Sequence, residues 1–162
     1  MIRLQCYEGL DISQSSYEWN YGKQLISIQS TDNKNIDLFS NEFLIERPLL
    51  RALRQKPSER AVLLIDELDR ADEAFEAYLL EFLSDWQITI PEIGSIKTEE
   101  PPIVVITSNR TREVHDALKR RCYYSWVDYP DKDTELEILK HRVPQTGPTL
   151  QTELVNFVQH LR

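Results

Sequence analysis

Asp66 and Glu67 directly follow the apolar run Ala61-Val62-Leu63-Leu64-Ile65, at the carboxyl end of a predicted strand. In open parallel sheets, ligands bind at that end. Two adjacent acids there can divide the work of nucleoside triphosphate hydrolysis. Asp66 can support Mg²⁺, through water because the ion keeps much of its hydration shell. Glu67 can polarise the attacking water. The same dipeptide also suits simple capping and solvation of a following helix. Asn109 closes a second apolar run, Ile103-Val104-Val105-Ile106, where a side-chain amide can orient a water beside a γ-phosphate. An ordinary turn asparagine looks the same. Arg120 and Arg121 end a short helical stretch, from which a guanidinium can reach a nucleotide held by a neighbouring subunit. A helix C-terminus favours such cations too.

These residues need strands and helices to place them. Ile2-Arg3-Leu4-Gln5-Cys6-Tyr7 alternates with period two and predicts a strand. Ser13 is a candidate cap for a helix with Tyr17, Tyr21, Leu25 and Ile28 on one face. The polar stretch Thr31-Asp32-Asn33-Lys34-Asn35 predicts a loop. Phe43, Leu44, Leu49, Leu50 and Leu53 predict a second helical region, broken near Arg47 because Pro48 suits only a first turn. The 61–65 run predicts a central parallel strand covered on both faces. Asp72 can cap a helix bearing Phe75, Leu79, Phe82, Leu83 and Trp86. Its acids Asp69, Asp72, Glu73 and Glu76 are expected in solvent. Pro91 and Gly94-Ser95, between isoleucines, predict a hairpin. Tyr123-Tyr124-Ser125-Trp126-Val127 is a further strand candidate. Helices are expected from Asp131 or Asp133 to Val143 and from Leu150 to Leu161. Strands alternating with helices predict an α/β fold with a mostly parallel sheet.

The chain has 162 residues, of which 41% are hydrophobic and 28% charged, enough to bury a core as one ordinary domain. Its net charge of −8 argues against general nucleic-acid binding, which needs Lys and Arg on phosphates. No apolar run is long enough for membrane insertion, and the N-terminus lacks a signal-peptide pattern. A cytoplasmic location is the expectation. Cys6 and Cys122 make neither a metal spacing nor a disulfide framework.

Several segments, in order, resemble a MoxR-family AAA+ ATPase. Arg3-Leu4-Gln5-Cys6-Tyr7-Glu8-Gly9-Leu10-Asp11 and Tyr17-Glu18-Trp19-Asn20-Tyr21 are similar to the family's segment after the Walker A helix. Leu64-Ile65-Asp66-Glu67-Leu68-Asp69-Arg70 resembles Walker B. The isoleucine hairpin resembles the one that precedes sensor 1, and Thr107-Ser108-Asn109-Arg110 resembles sensor 1 itself. His115-Asp116-Ala117-Leu118-Lys119-Arg120-Arg121-Cys122 resembles the arginine-finger region, with Arg121 the first choice and Arg120 the reserve.

The resemblance implies a P-loop NTPase-like AAA+ core over residues 1–130 and the start of a small helical lid over 131–162. It implies ATP and Mg²⁺ as cofactors, with Asp66, Glu67 and Asn109 at the nucleotide and Arg121 or Arg120 acting on an adjacent subunit. Self-association into a six-membered ring, a von Willebrand factor A domain partner and protein clients follow from the same likeness. So does a chaperone-like role in complex assembly or metal-enzyme maturation. The departure is equally specific. No G-x-x-x-x-G-K-[ST] occurs, and Gly9, Gly22, Gly94 and Gly147 are the only glycines. The first, Walker A strand is therefore expected to be missing. The chain alone is expected to be inactive, marginally stable and a weak ligand for Mg-ATP. The alternative is a non-catalytic protein-interaction module or a non-functional gene fragment.

Overall fold

A computed structural model describes residues 1–30, 36–55 and 60–161. Two compact units divide the chain, Met1–Tyr123 and Tyr124–Arg162. In chain order the first unit holds β1 (Ile2–Gln5), α1 (Ile12–Ser15), β2 (Tyr17–Trp19), α2 (Tyr21–Ser30), β3 (Leu44–Glu46) and α3 (Pro48–Leu53). It continues with β4 (Val62–Asp66), a 3-10 turn (Leu68–Arg70), α4 (Glu73–Asp85), β5 (Gln87–Ile90), β6 (Gly94–Lys97), β7 (Ile103–Ile106) and α5 (Asp116–Lys119). The expected loop at 31–35 lies outside the described residues.

β1, β4 and β7 form a parallel sheet in the order β1-β4-β7, so the acid-bearing strand is central, as the sequence predicts. Register pairs Leu4 with Ile65 and Gln5 with Asp66 on one side, and Leu64 with Val105 and Ile65 with Ile106 on the other. Paired residues share a face, because side chains alternate along each strand. Leu4, Leu63 and Ile65 are buried with Val104 and Ile106 packed beside them, and α3 covers this face with Leu49, Leu50, Ala52 and Leu53. The opposite face carries Arg3, Gln5, Val62, Leu64, Asp66, Ile103 and Val105. There Ile103 is 46% exposed and Val105 44%. The expectation of a β4 covered on both faces is therefore corrected: Val62 and Leu64 are only half-buried.

Two other expectations change. The helix expected from Ser13 through Ile28 is split by β2, which pairs antiparallel with β3, Trp19 opposite Leu44. Asp11, not Ser13, caps α1, accepting from the Gln14 amide while Gln14 reaches back in a capping box. Leu44 consequently belongs to a strand rather than a helix, and Arg47 is the N-cap of α3 with Pro48 in its first turn. Tyr123-Tyr124-Ser125-Trp126-Val127 forms no strand. A strand needs a partner for its backbone groups, and no described segment pairs with this one.

α4 is capped by Asp72, whose carboxylate accepts the Phe75 amide, and it buries Phe75, Leu79 and Phe82 in the core. Trp86 closes it in a left-handed conformation with φ 51° and leads into the β5–β6 hairpin. The second unit is a helical pair, α6 (Lys132–Arg142), capped by Asp131, and α7 (Pro148–Leu161). Between them runs an apolar groove lined by Ile138, Leu139, Leu154 and Val158. No described helix is long and apolar enough to cross a membrane.

Parallel sheets are ordinarily covered on both faces, so the open face of β4 and β7 should drive association. Val105→Lys, which places a charge there, should shift the chain towards monomer in sedimentation velocity while leaving its circular dichroism unchanged. A parent chain that stays monomeric at high concentration would contradict this.

Candidate functional site

The parallel register brings Asp66, Glu67 and Asn109, of the predicted site residues, to one end of the sheet. β4 and β7 run side by side, so Asp66 and Thr107 fall next to each other beyond the paired Ile65 and Ile106. The Thr107 Oγ1 donates to Asp66 Oδ1 at 2.5 Å and itself accepts the Glu67 amide at 3.0 Å. Main-chain bonds continue the ladder: the Thr107 amide to the Ile65 carbonyl, then the Leu68 amide to the Thr107 carbonyl, both 2.9 Å. On the other flank the Cys6 amide donates to the Asp66 carbonyl at 2.8 Å.

Asp66 lies on the open face, where Arg3 reaches it across the β1–β4 pairing. Arg3 Nε and Nη2 donate to Asp66 Oδ2 at 3.1 and 2.5 Å, and Nη2 also donates to Gln5 Oε1. The Thr107 hydroxyl, and then Arg3, hold the Asp66 carboxyl below its ordinary range. Glu67 turns the opposite way from its neighbour. Its backbone is left-handed, φ 55°, which a side chain other than glycine adopts at a cost of about 1 kcal/mol. Its carboxylate meets Arg70 Nη1 at 3.0 Å. Both acids are thus ion-paired in partial solvent. Cys6 is close enough to feel them: burial first, then the charges of Asp66, Asp69 and Glu67, push its thiol up to about 12, which makes it unreactive.

Asn109 is exposed beyond β7, with its loop pinned from below. Its amide donates to Asp69 Oδ1 at 3.0 Å, while the Thr111 amide and hydroxyl donate to Asp69 Oδ2 at 2.8 and 2.6 Å. Burial opposes ionisation of Asp69, but the Thr111 and Asn109 bonds outweigh it and keep the carboxyl low. Glu76 repeats the device: it accepts from Arg112 and from the His115 amide, the latter at 2.8 Å. Asp69 and Glu76 are 3% and 2% exposed, so the expectation of a solvated acidic helix start is wrong for both. Their spacing matches a helix surface, and only the tertiary partners distinguish them. Arg3 and Thr107 were equally hidden, although the alternation of β1 places Arg3 and Gln5 on one face.

Arg121 is not brought to these acids. It follows α5 and donates to Ser84 Oγ and to the Ala117 carbonyl, each at 3.2 Å. Ser84 lies near the far end of α4, and the rise from Glu73 to Ser84 is roughly 16 Å. Arg120 is exposed at the C-cap of α5. Among the described residues no group of three His, Cys, Asp or Glu is arranged to hold a metal. Asp66 alone, with both oxygens already engaged, suits a hydrated Mg²⁺ carried in with phosphates rather than a bare ion.

A central parallel strand ending in two acids, beside a strand ending in threonine and asparagine, is an α/β fold of the kind found in ATPase cores. No family model and no curated protein matches the chain. Among solved structures it is similar to a "putative ATPase" from Cytophaga hutchinsonii, with a TM-score of 0.55 and 18% identity. The match covers 96% of this chain and 44% of that one, so this chain spans less than half the length of its structural neighbour.

The Asp69 bonds carry a stability prediction. Asp69→Ala removes a buried acceptor from three donors and should cost about 3 kcal/mol in urea denaturation at pH 7. The folded carboxyls of Asp66 and Asp69 lie below their unfolded values, so the unfolded chain takes up protons first as pH falls. Their contribution is complete above about pH 4 and lost below it. Asp69→Asn should flatten that acid limb, and an unchanged limb would exclude Asp69 as its source.

Proposed function

We propose that this chain is the hydrolytic part of a MoxR-like AAA+ ATPase core. The observation that carries the reading is the convergence of Asp66, Glu67 and Asn109 at the carboxyl ends of two adjacent parallel strands in register. Glu67 would polarise the attacking water once Arg70 releases it, and Asn109 would orient that water. Asp66 would hold water molecules of the nucleotide's Mg²⁺, with Thr107 and Arg3 keeping it ionised. Mg²⁺, when bound with ATP, neutralises phosphate charge. Arg121, kept from its own acids by the length of α4, would serve an adjacent subunit in a ring of six, with Arg120 as its reserve. Protein clients, a von Willebrand factor A domain partner and a role in complex assembly or metal-enzyme maturation belong to the same proposal. They rest on the family likeness alone.

A second reading is a non-catalytic interaction module. It is favoured by the open apolar face around Leu64 and Val105 and by the lack of any phosphate-cradling sequence. Nucleotide assays separate the two. The chain by itself should show no tight Mg-ATP binding. Joined to a polypeptide that supplies an apolar strand and a G-x-x-x-x-G-K-[ST] loop, it should hydrolyse Mg-ATP, and Glu67→Gln should lower kcat by about 10²-fold or more. A joined protein that binds Mg-ATP but is indifferent to Glu67→Gln would refute the ATPase assignment. Micromolar binding and Glu67-dependent turnover by the chain alone would refute its incompleteness.

A further inference from the structure

Thr107 carries no chemistry of its own, yet its hydroxyl touches both acidic residues. Oγ1 donates to Asp66 Oδ1 at 2.5 Å while accepting the Glu67 amide at 3.0 Å. Among neutral side chains of this size, only a hydroxyl can donate and accept from one atom. The two bonds fix different things. The first sets the rotation of the Asp66 carboxylate, whose other oxygen is taken by Arg3. The second anchors the amide of a residue at φ 55°, a region that favours glycine and persists only when its surroundings hold it. The main-chain bonds of Thr107, to Ile65 and Leu68, remain available to any residue but proline at this position.

We propose that Thr107 is a positioning residue for the Asp66–Glu67 pair. Its hydroxyl orients the Asp66 carboxylate and, through the Glu67 amide, holds the left-handed turn that directs the two carboxylates apart, one towards Arg3 and one towards Arg70. The role rests on the ATPase reading of the site, but the contact itself is tested without nucleotide, so failure of one is distinguishable from failure of the other.

The test is NMR on the full chain, comparing Thr107→Val, which keeps the shape and the strand preference, with Thr107→Ser, which keeps the hydroxyl. In Thr107→Val the Glu67 amide should exchange about tenfold faster, and the Asp66 carboxyl carbon should shift. The amides of position 107 itself and of Leu68, which rely on main-chain acceptors, should be unaffected. In Thr107→Ser the Glu67 rate should stay within about twofold of the parent. The proposal is overturned if Thr107→Val leaves Glu67 and Asp66 unchanged. It is equally overturned if Thr107→Ser disturbs them as much, or if all the β7 amides accelerate together, since each would mean a general packing role.

Discussion

The pairing of β4 with a parallel neighbour on each side is the constraint from which the rest follows. Parallel ladders give evenly spaced bonds and align strand ends on one side of the sheet. Here they deliver the Asp66 carbonyl to Cys6, the Ile65 carbonyl to Thr107 and the Thr107 carbonyl to Leu68. Because side chains alternate, this register also decides which face receives which groups. Leu63 and Ile65 enter the core, while Asp66 emerges with Arg3 and Gln5 on the open face. A slip of one residue would exchange the two sets and bury the acid.

Two carboxylates below the sheet end extend that order into the loop that follows β7. Asp69 and Glu76 are buried charges, tolerable only because each is met by several donors. Between them they receive the amides of Asn109, Thr111 and His115, the Thr111 hydroxyl and the Arg112 guanidinium. A loop that would otherwise move freely is thereby fixed to the 3-10 turn and to α4. Asp66 and Glu67 above it, by contrast, are partly exposed and ion-paired with long, solvated arginines. Such pairs contribute little to stability and are readily exchanged for a ligand. The site is thus rigid in its backbone and labile at its tips.

Much of this was legible in the sequence where one element's periodicity sufficed. The β4 run, the α4 stripe from Phe75 to Leu83 with its Asp72 cap, the isoleucine hairpin and α6, expected from Asp131 or Asp133, are where their residues predict them. Arg47 as the break before Pro48 is another example. What failed was whatever depends on a distant partner. β2 and β3 are three residues each, too short for an alternation to show, and exist only because they pair with one another. The 123–127 segment has the composition of a strand but no ladder to join. Buried Asp69 and Glu76 carry the same letters as solvated acids, and Thr107 reads only as part of the sensor 1 resemblance until register sets it beside Asp66.

The parallel registration of β4 with β7 is what brings Asp66, Glu67 and Asn109 to one end of the sheet. Cross-strand nuclear Overhauser contacts on the isotopically labelled chain measure that registration directly. Contacts linking Leu64 with Val105 and Ile65 with Ile106, together with a protected Thr107 amide, are the predicted result. A register displaced by one residue, or contacts showing antiparallel pairing, would separate Thr107 from Asp66 and contradict the account.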